Sequence, residues 1–307
     1  MEHKEQGLAR RLRVRPGTAR PYVPTVTVVV SCYNYAHFLP QAVRSCLTQQ
    51  EVDVDVIIVD DASTDSSLRV ATSLAHSHSN VSVLAHKRNK GMVETFNDGA
   101  RAATGEFLVR LDADDLLTPG SLSRATLAAQ TYPSVGLVYG HPLHFHASAL
   151  PVPRTRASAW TIWPGLQWLE DRCRSGKNVI TSPEVLMRRQ LVEELGYQAP
   201  LRHTPDMELW LRLSAFSDVA YIHGADQAWH RDHHDSMSAK EVDELVDLRE
   251  RWEAFEVLFS GPAAARPEAA CLRAQAVKTL VAEAMATARH ELDRGAGRSP
   301  LYLFCLE

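Results

Sequence analysis

The sequence predicts an α/β layer structure built on a mostly parallel sheet, and three observations lead there. Between Thr25 and Tyr139 short β-branched runs alternate with amphipathic stretches of helical period. Their alternation, rather than segregation, is the pattern of strands joined by crossover helices. The residues that carry chemistry fall where the strands end, which is where open sheets of this type bind ligands. At 307 residues, 45% hydrophobic and 23% charged, the chain buries a sizeable core as one large or two smaller domains.

In chain order, residues 1 to about 22 place Arg10, Arg11, Arg13, Arg15 and Arg20 among Pro and Gly without the apolar core of a secretory signal. They read as a flexible basic tail, capable of at most a peripheral membrane contact. Strands are expected at Val26–Val30, Asp55–Asp60, Val81–Ala85, Glu106–Leu111 and Val135–Tyr139. Helices are expected near Leu39–Gln49, Ser66–Ser77, Val93–Ala103 and Ser121–Tyr132, each apolar at three- and four-residue spacing. The Pro- and His-rich stretch from His141 to Arg156 reads as a loop. Helices near Gly165–Arg174, Arg188–Leu195 and Asp206–Ala215 and a strand at Val219–His223 follow. After Ala239 two helices, Glu241–Leu258 and Glu268–Leu292, are rich in Ala and charge and carry no motif. They are expected to pack on the body or to form a homo-oligomer interface. The domain division is therefore 1–22, 23–238 (split into 23–140 and 141–238) and a helical region 239–307.

A formal net charge of −4 gives no global attraction to nucleic acid. Five scattered cysteines without a Cys-x-x-Cys pair fit a reduced, cytoplasmic setting. Nothing approaches a bilayer-spanning length.

The most informative segment is Leu111-Asp112-Ala113-Asp114-Asp115. Side-chain direction alternates along a strand, so Asp112 and Asp114 point the same way, and two like charges that close call for a cation. Oxygen donors suit Mg²⁺ or Mn²⁺, which in turn carry a diphosphate. The competing structural reading is a solvated acidic turn before a helix, and Asp115 is expected to be such a cap.

Around it stand Ser31-Cys32-Tyr33-Asn34-Tyr35, Asp60-Asp61-Ala62-Ser63-Thr64-Asp65, Asn89-Lys90-Gly91, Thr204-Pro205-Asp206-Met207-Glu208 and Arg231-Asp232-His233-His234-Asp235-Ser236-Met237-Ser238. In this order the motifs resemble the family 2 glycosyltransferases of the GT-A fold, over roughly residues 25 to 238. The resemblance implies an inverting, metal-dependent transferase. It would use a nucleotide-diphosphate sugar, UDP-linked or dTDP-linked, and an acceptor hydroxyl of unassigned chemistry. It implies Asp61 as reader of the base, with Ser31 and Tyr33 lining base and ribose, and Asp112 on ribose or a metal-bound water. Asp114 becomes the direct metal ligand, joined by His233, with Arg231 near the diphosphate. Asp206 becomes the general base and Glu208 its reserve or an acceptor contact. It also makes residues 23–140 the nucleotide-sugar part and 141–238 the acceptor part.

Each role has a structural competitor. Asp60, Asp61 and Asp65 could cap the helix after them, and Asp206, after Thr204 and Pro205, would favour a helix dipole by about 0.3–1 kcal/mol whatever else it did. Phe96 stands where many family members carry Arg before Asn97, so Lys90 is the substitute cation expected near the diphosphate. The spacing of His141, His144, His146, His230, His233 and His234 matches no standard zinc pattern, so the first three read as a polar loop on the acceptor side. Trp160, Trp163 and Trp168 could stack on an acceptor or fill the core. Two other functions compete. A haloacid-dehalogenase-type phosphatase also has Asp-x-Asp after a strand, but after its first one. A nucleotide-sugar-binding protein without catalysis is separated only by turnover.

Overall fold

The computed structural model describes residues 10–17, 19–146, 149–232 and 243–293. Strands β1 (Leu12–Val14), β2 (Thr25–Cys32), β3 (Asp53–Asp60), β4 (Val81–Ala85), β5 (Phe107–Asp112), β6 (Leu116–Leu117), β7 (Val135–Phe145), β8 (Ala159–Trp163), β9 (Leu186–Arg188) and β10 (Asp218–Arg231) form one 10-stranded sheet. Its order is β1-β8-β10-β7-β9-β5-β2-β3-β4, with β6 on β10. Pairs β5·β2, β2·β3, β3·β4 and β7·β10 are parallel, and short antiparallel β9 bridges the two parallel blocks.

Helices α1 (Leu39–Leu47), α2 (Ser67–Ser77), α3 (Met92–Ala102), α4 (Ser121–Thr131), α5 (Gly165–Ser175), α6 (Arg189–Leu195), α7 (Pro205–Phe216), α8 (Glu244–Ser260) and α9 (Ala269–Asp293) cover both faces. Strand alternation divides the core. Val28, Val30 and Ile58 pack toward α1 and α4, whereas Val29, Ile57 and Val59 pack toward Phe96 and Ala100 of α3. The second cluster continues through α5 and α7 to Phe255 and Leu258 of α8 and Leu280 of α9, so the C-terminal helices share one core with the sheet. No helix among the described residues is long and apolar enough to cross a membrane.

The expected flexible tail covers residues 1 to about 22; residues 1–9 and 18 lie outside the described residues, and the described part is held to the body. Leu12–Val14 pairs with β8, Arg11 stacks 4.8 Å over the Trp163 ring, and Arg20 donates to Thr126 Oγ1 at 3.0 Å and Ser123 Oγ at 2.6 Å. Arg11 and Arg20 are thereby engaged with β8 and with α4. The expected loop from His141 is, for its first five residues, a continuation of β7 along β10. Trp160 and Trp168 are core residues, Trp168 donating to Tyr139 Oη at 3.1 Å.

Candidate active site

The parallel register brings the carboxyl ends of β2, β3 and β5 level, with Cys32 beside Asp60 and Ser31 beside Asp112. Asn34, at φ 60°, ties the loop after β2 to the loop after β3: its Oδ1 accepts from Thr64 N at 2.8 Å and its own N donates to Ser63 Oγ at 3.0 Å. Asp65 accepts from Ser67 N at 2.8 Å and so holds the turn into α2, whose N-cap position is Ser66. Tyr33 is exposed at the mouth, while Ser31 Oγ is buried with no partner.

Asp61 is 3% exposed, and it caps nothing. Its Oδ1 lies 2.7 Å from His86 Nδ1 and accepts from Lys90 N at 2.8 Å; its Oδ2 accepts from Gly91 N at 2.9 Å. A carboxylate offers about four acceptor positions, so about one, on Oδ2, is left for a ligand. Asp61 thus holds the Asn89-Lys90-Gly91 turn, which Gly91 completes at φ 86°. Lys90 does not stand free as a substitute for the missing arginine: its Nζ donates to Asp98 Oδ2 at 2.6 Å.

Asp112 ends β5 and is paired with Arg110 at 3.1 Å. Arg110 projects from the same strand yet is 4% exposed, and the charges of Asp112, Asp206 and Asp115 outweigh desolvation and hold its guanidinium above its ordinary range. Asp115 does not cap α4. It accepts from Arg231 N at 2.8 Å and lies 3.1 Å from His230 Nδ1. Burial pushes its carboxyl up to about 6, against the pull of His230, and burial of His230 is overcome by Asp115, Asp232 and Asp114, which raise that imidazole to about 9.

Arg231 is also placed otherwise than expected. Its guanidinium lies between the rings of Phe38 and Phe145, at 4.3 and 4.4 Å, and donates from Nε to the carbonyl of Asp114 at 3.0 Å. It braces the acidic turn, and desolvation holds it below its usual range. His233 lies outside the described residues.

Asp206 opens α7, where Pro205 occupies the first turn. Thr204 does not cap; its hydroxyl donates to the Glu250 carbonyl of α8 at 2.9 Å. Asp206 Oδ2 accepts from Ser182 Oγ at 2.8 Å and Oδ1 from Met207 N at 2.7 Å. Burial raises its carboxyl above the ordinary range, and Arg110, Ser182 and Met207 N restrain the rise. Ser182 sits at φ 112°, a strained conformation for a residue with a side chain, of the kind that collects at functional sites.

Asp206 and His230 border one cleft of about 570 Å³, lined also by Glu250 and Arg251 of α8 and Glu283 of α9. Glu208 faces away from it. It is fully buried in a two-point pair with Arg212 at 2.8 Å, and Arg212 donates onward to the carbonyls of Leu195 and Tyr197. A carboxylate closed in by a guanidinium there is a structural pair and no reserve base.

Arg110 feels the charges of both Asp112 and Asp206, and Asp206 those of Arg110 and Asp112, so the three share one electrostatic environment. Oxygen donors at the open end of β5 fit Mg²⁺ or Mn²⁺. Arg110, Ser182 and His86 were missed by sequence reasoning, and His230 was named there only as one of a histidine cluster. Only Arg110 left a signal, as a charge inside the run Phe107-Leu108-Val109-Arg110-Leu111.

The model of the family described as glycosyl transferase family 2 matches residues 27–196. An uncharacterized glycosyltransferase of Nostoc sp. (strain PCC 7120) is 40% identical over 114 residues, 37% of this chain and 35% of the relative. Across the first relatives the match spans about a third of their length, 35%, 37% and 29%. Among solved structures, S. aureus TarS 1-349 in complex with UDP-GlcNAc superposes with TM-score 0.64 at 16% identity, over 83% of this chain and 71% of that one. The mannosyltransferase PcManGT of Pyrobaculum calidifontis, in complex with GDP-Man and Mn²⁺, gives TM-score 0.58 at 20% identity over 92% and 79%. At these identities the two structures establish a shared GT-A architecture.

Proposed function

Because the chain belongs to glycosyl transferase family 2, we propose that it transfers a glycosyl group with inversion from a UDP-linked sugar to an acceptor hydroxyl held in the cleft beside Asp206. The observation that supports this best is the common electrostatic cluster of Asp206, Arg110 and Asp112. It ties the end of β5, where a diphosphate would be held, to a carboxylate able to accept a proton.

In this reading the donor lies across the ends of β2, β3 and β5. The one remaining acceptor position on Asp61 takes the N–H of uracil, and thymine offers the same edge. Asp112 and Asp114 would hold Mg²⁺ or Mn²⁺, which when bound offsets charge on the departing nucleoside diphosphate. Arg110 keeps Asp112 oriented. Ser182 and Met207 N hold the Asp206 carboxylate, which takes the proton of the acceptor hydroxyl as that oxygen bonds to the anomeric carbon. The bond to the diphosphate breaks on the opposite side, so a single displacement inverts the centre. The cleft wall supplied by α8 and α9 sets Asp247, Glu250 and Glu283 around Arg251, a polar lining that suits a hydroxyl-rich acceptor.

Calorimetry of UDP with Mn²⁺ and with EDTA tests the donor half. Binding should be far tighter with the metal, and Asp114→Ala should abolish both the metal dependence and turnover while the fold survives. Equal affinity in EDTA would remove the metal from the site, and binding without any turnover would favour a nucleotide-sugar-binding protein.

A further inference from the structure

The stretch around His144 and the end of β10 combine into a group of side chains that the transfer reaction does not use. His144 and His230 are direct partners in the parallel register of β7 and β10, so their side chains leave the sheet on the same side. Asp232 follows two residues after His230 and continues the ladder through its N–H to the Phe145 carbonyl at 3.0 Å. The imidazoles meet edge to face with centroids 5.0 Å apart. Asp232 Oδ2 is 3.2 Å from His144 Nδ1, and Oδ1 is 3.8 Å from His230 Nε2. One ligand atom from each of the three residues lies within 4.8 Å of the others.

We propose that His144, His230 and Asp232 form a second cation site, for a divalent metal of the Zn²⁺ class. Two ligands on a tetrahedral zinc at bonds of about 2.0–2.1 Å lie about 3.3–3.5 Å apart, and the two carboxylate–imidazole spacings, 3.2 and 3.8 Å, bracket that value. Two imidazoles and one carboxylate form the donor set of open zinc sites, and imidazole nitrogen selects Zn²⁺, Co²⁺ or Ni²⁺ over Mg²⁺. It shares no residue with Asp112, Asp114 and His233, the ligands expected for the donor's cation.

A second observation points the same way. His230 Nδ1 is held by the Asp115 carboxylate at 3.1 Å, which leaves Nε2 turned toward Asp232. A carboxylate on the far nitrogen is the usual means of fixing the tautomer and orientation of a metal-bound imidazole. The side chains of His144, His230 and Asp232 are 48%, 31% and 33% exposed, so a cation reaches them from solvent and keeps open positions. Because His230 also borders the cleft containing Asp206, the site stands at the rim of the proposed acceptor side. It requires neither the donor nor the inverting mechanism.

The test uses the full chain, stripped with EDTA and free of nucleotide, titrated with Zn²⁺ alone by calorimetry and with Co²⁺ by visible absorption. One equivalent of Zn²⁺ should bind and millimolar Mg²⁺ should not displace it. Co²⁺ should give the absorption of a low-coordinate nitrogen–oxygen site. His144→Ala and Asp232→Asn should each lose this binding, and Asp115→Asn should weaken it about 10–100-fold. His144 is an exposed strand residue, so His144→Ala should keep the metal-free melting temperature and Mn²⁺-assisted UDP binding. Asp114→Ala and His233→Ala should keep the Zn²⁺ equivalent. The proposal is overturned if the wild type takes up no Zn²⁺, if His144→Ala and Asp232→Asn bind it as the wild type does, or if Asp114→Ala or His233→Ala removes it. None of these results depends on whether sugar transfer occurs.

Discussion

In the role of the proposed base, Asp206 has to be ionised and yet as basic as its surroundings allow. Burial raises its pKa, while Arg110, Ser182 and Met207 N stabilise the charge. Asp206→Asn keeps the shape and removes the acceptor, so transfer should fall about 10²–10⁴-fold with UDP affinity unchanged. Because the folded pKa is raised, the ionised form destabilises the folded state at pH above that value. Asn removes that penalty, so melting temperature at neutral pH should hold or rise; a large fall would mark Asp206 as structural. Ser182→Ala retains the strained backbone but deletes a hydrogen bond to the charged form, which raises the Asp206 pKa further. The acidic limb of the kcat/KM profile should therefore move to higher pH. An unmoved limb would assign it to another group.

At the scale of elements, the site depends on α3 lying close enough to the sheet to bring the turn before it against Asp61. Gly99 allows that approach: a Cβ there would stand 2.4 Å from Val29 Cγ1 and 2.9 Å from Val59 Cγ2. Both neighbours are β-branched strand residues with little rotameric freedom. Gly99→Ala should cost roughly 1–3 kcal/mol in urea unfolding by overpacking, despite the better helix propensity of alanine. A stabilised variant would show that α3 shifts freely. Element edges also explain the corrected assignments. Asp115 was read as a cap of α4 because Asp suits that position, yet it meets the N–H of Arg231 from a strand more than a hundred residues away.

Across the whole molecule, α8 and α9 complete the cleft rather than decorate it. Arg251 of α8 is 5% exposed and joins Asp247, Glu283 of α9 and the Gly176 carbonyl, at 2.8, 3.0 and 2.7 Å. Its neighbour Glu250 accepts from His203 N at 3.0 Å and, through its carbonyl, from Thr204, so the helix positions the turn that presents Asp206. Asp247 and Glu283 are partly solvated, so Arg251→Ala should cost roughly 1–3 kcal/mol rather than the 3–5 of a fully buried pair. Transfer rate should fall with it while UDP affinity stays constant, since the donor side rests on β2, β3 and β5. Loss of UDP binding in this variant would show that the two halves are not independent.

The alternating runs from Val26 to Tyr139 were legible because each strand and helix there buries its own face, so period alone reports them. The same holds for the positions of Asp112 at the end of β5 and Asp206 in the first turn of α7, which local pattern alone marks. Strands β1, β6 and β9 are two or three residues long and stable only through their partners, so no periodicity announces them. The partners of Asp61, Glu208, Arg231 and Asp115, the charge environment shared by Arg110, Asp112 and Asp206, and the meeting of His144 with His230 were decided by the tertiary structure alone. A charged side chain's role is set by what desolvates it and what answers its charge, and those groups are remote in sequence. The sequence by itself determined the fold class and the acids at the strand ends. Only folding decided which of those acids stay open to a ligand and which are consumed in holding the site together.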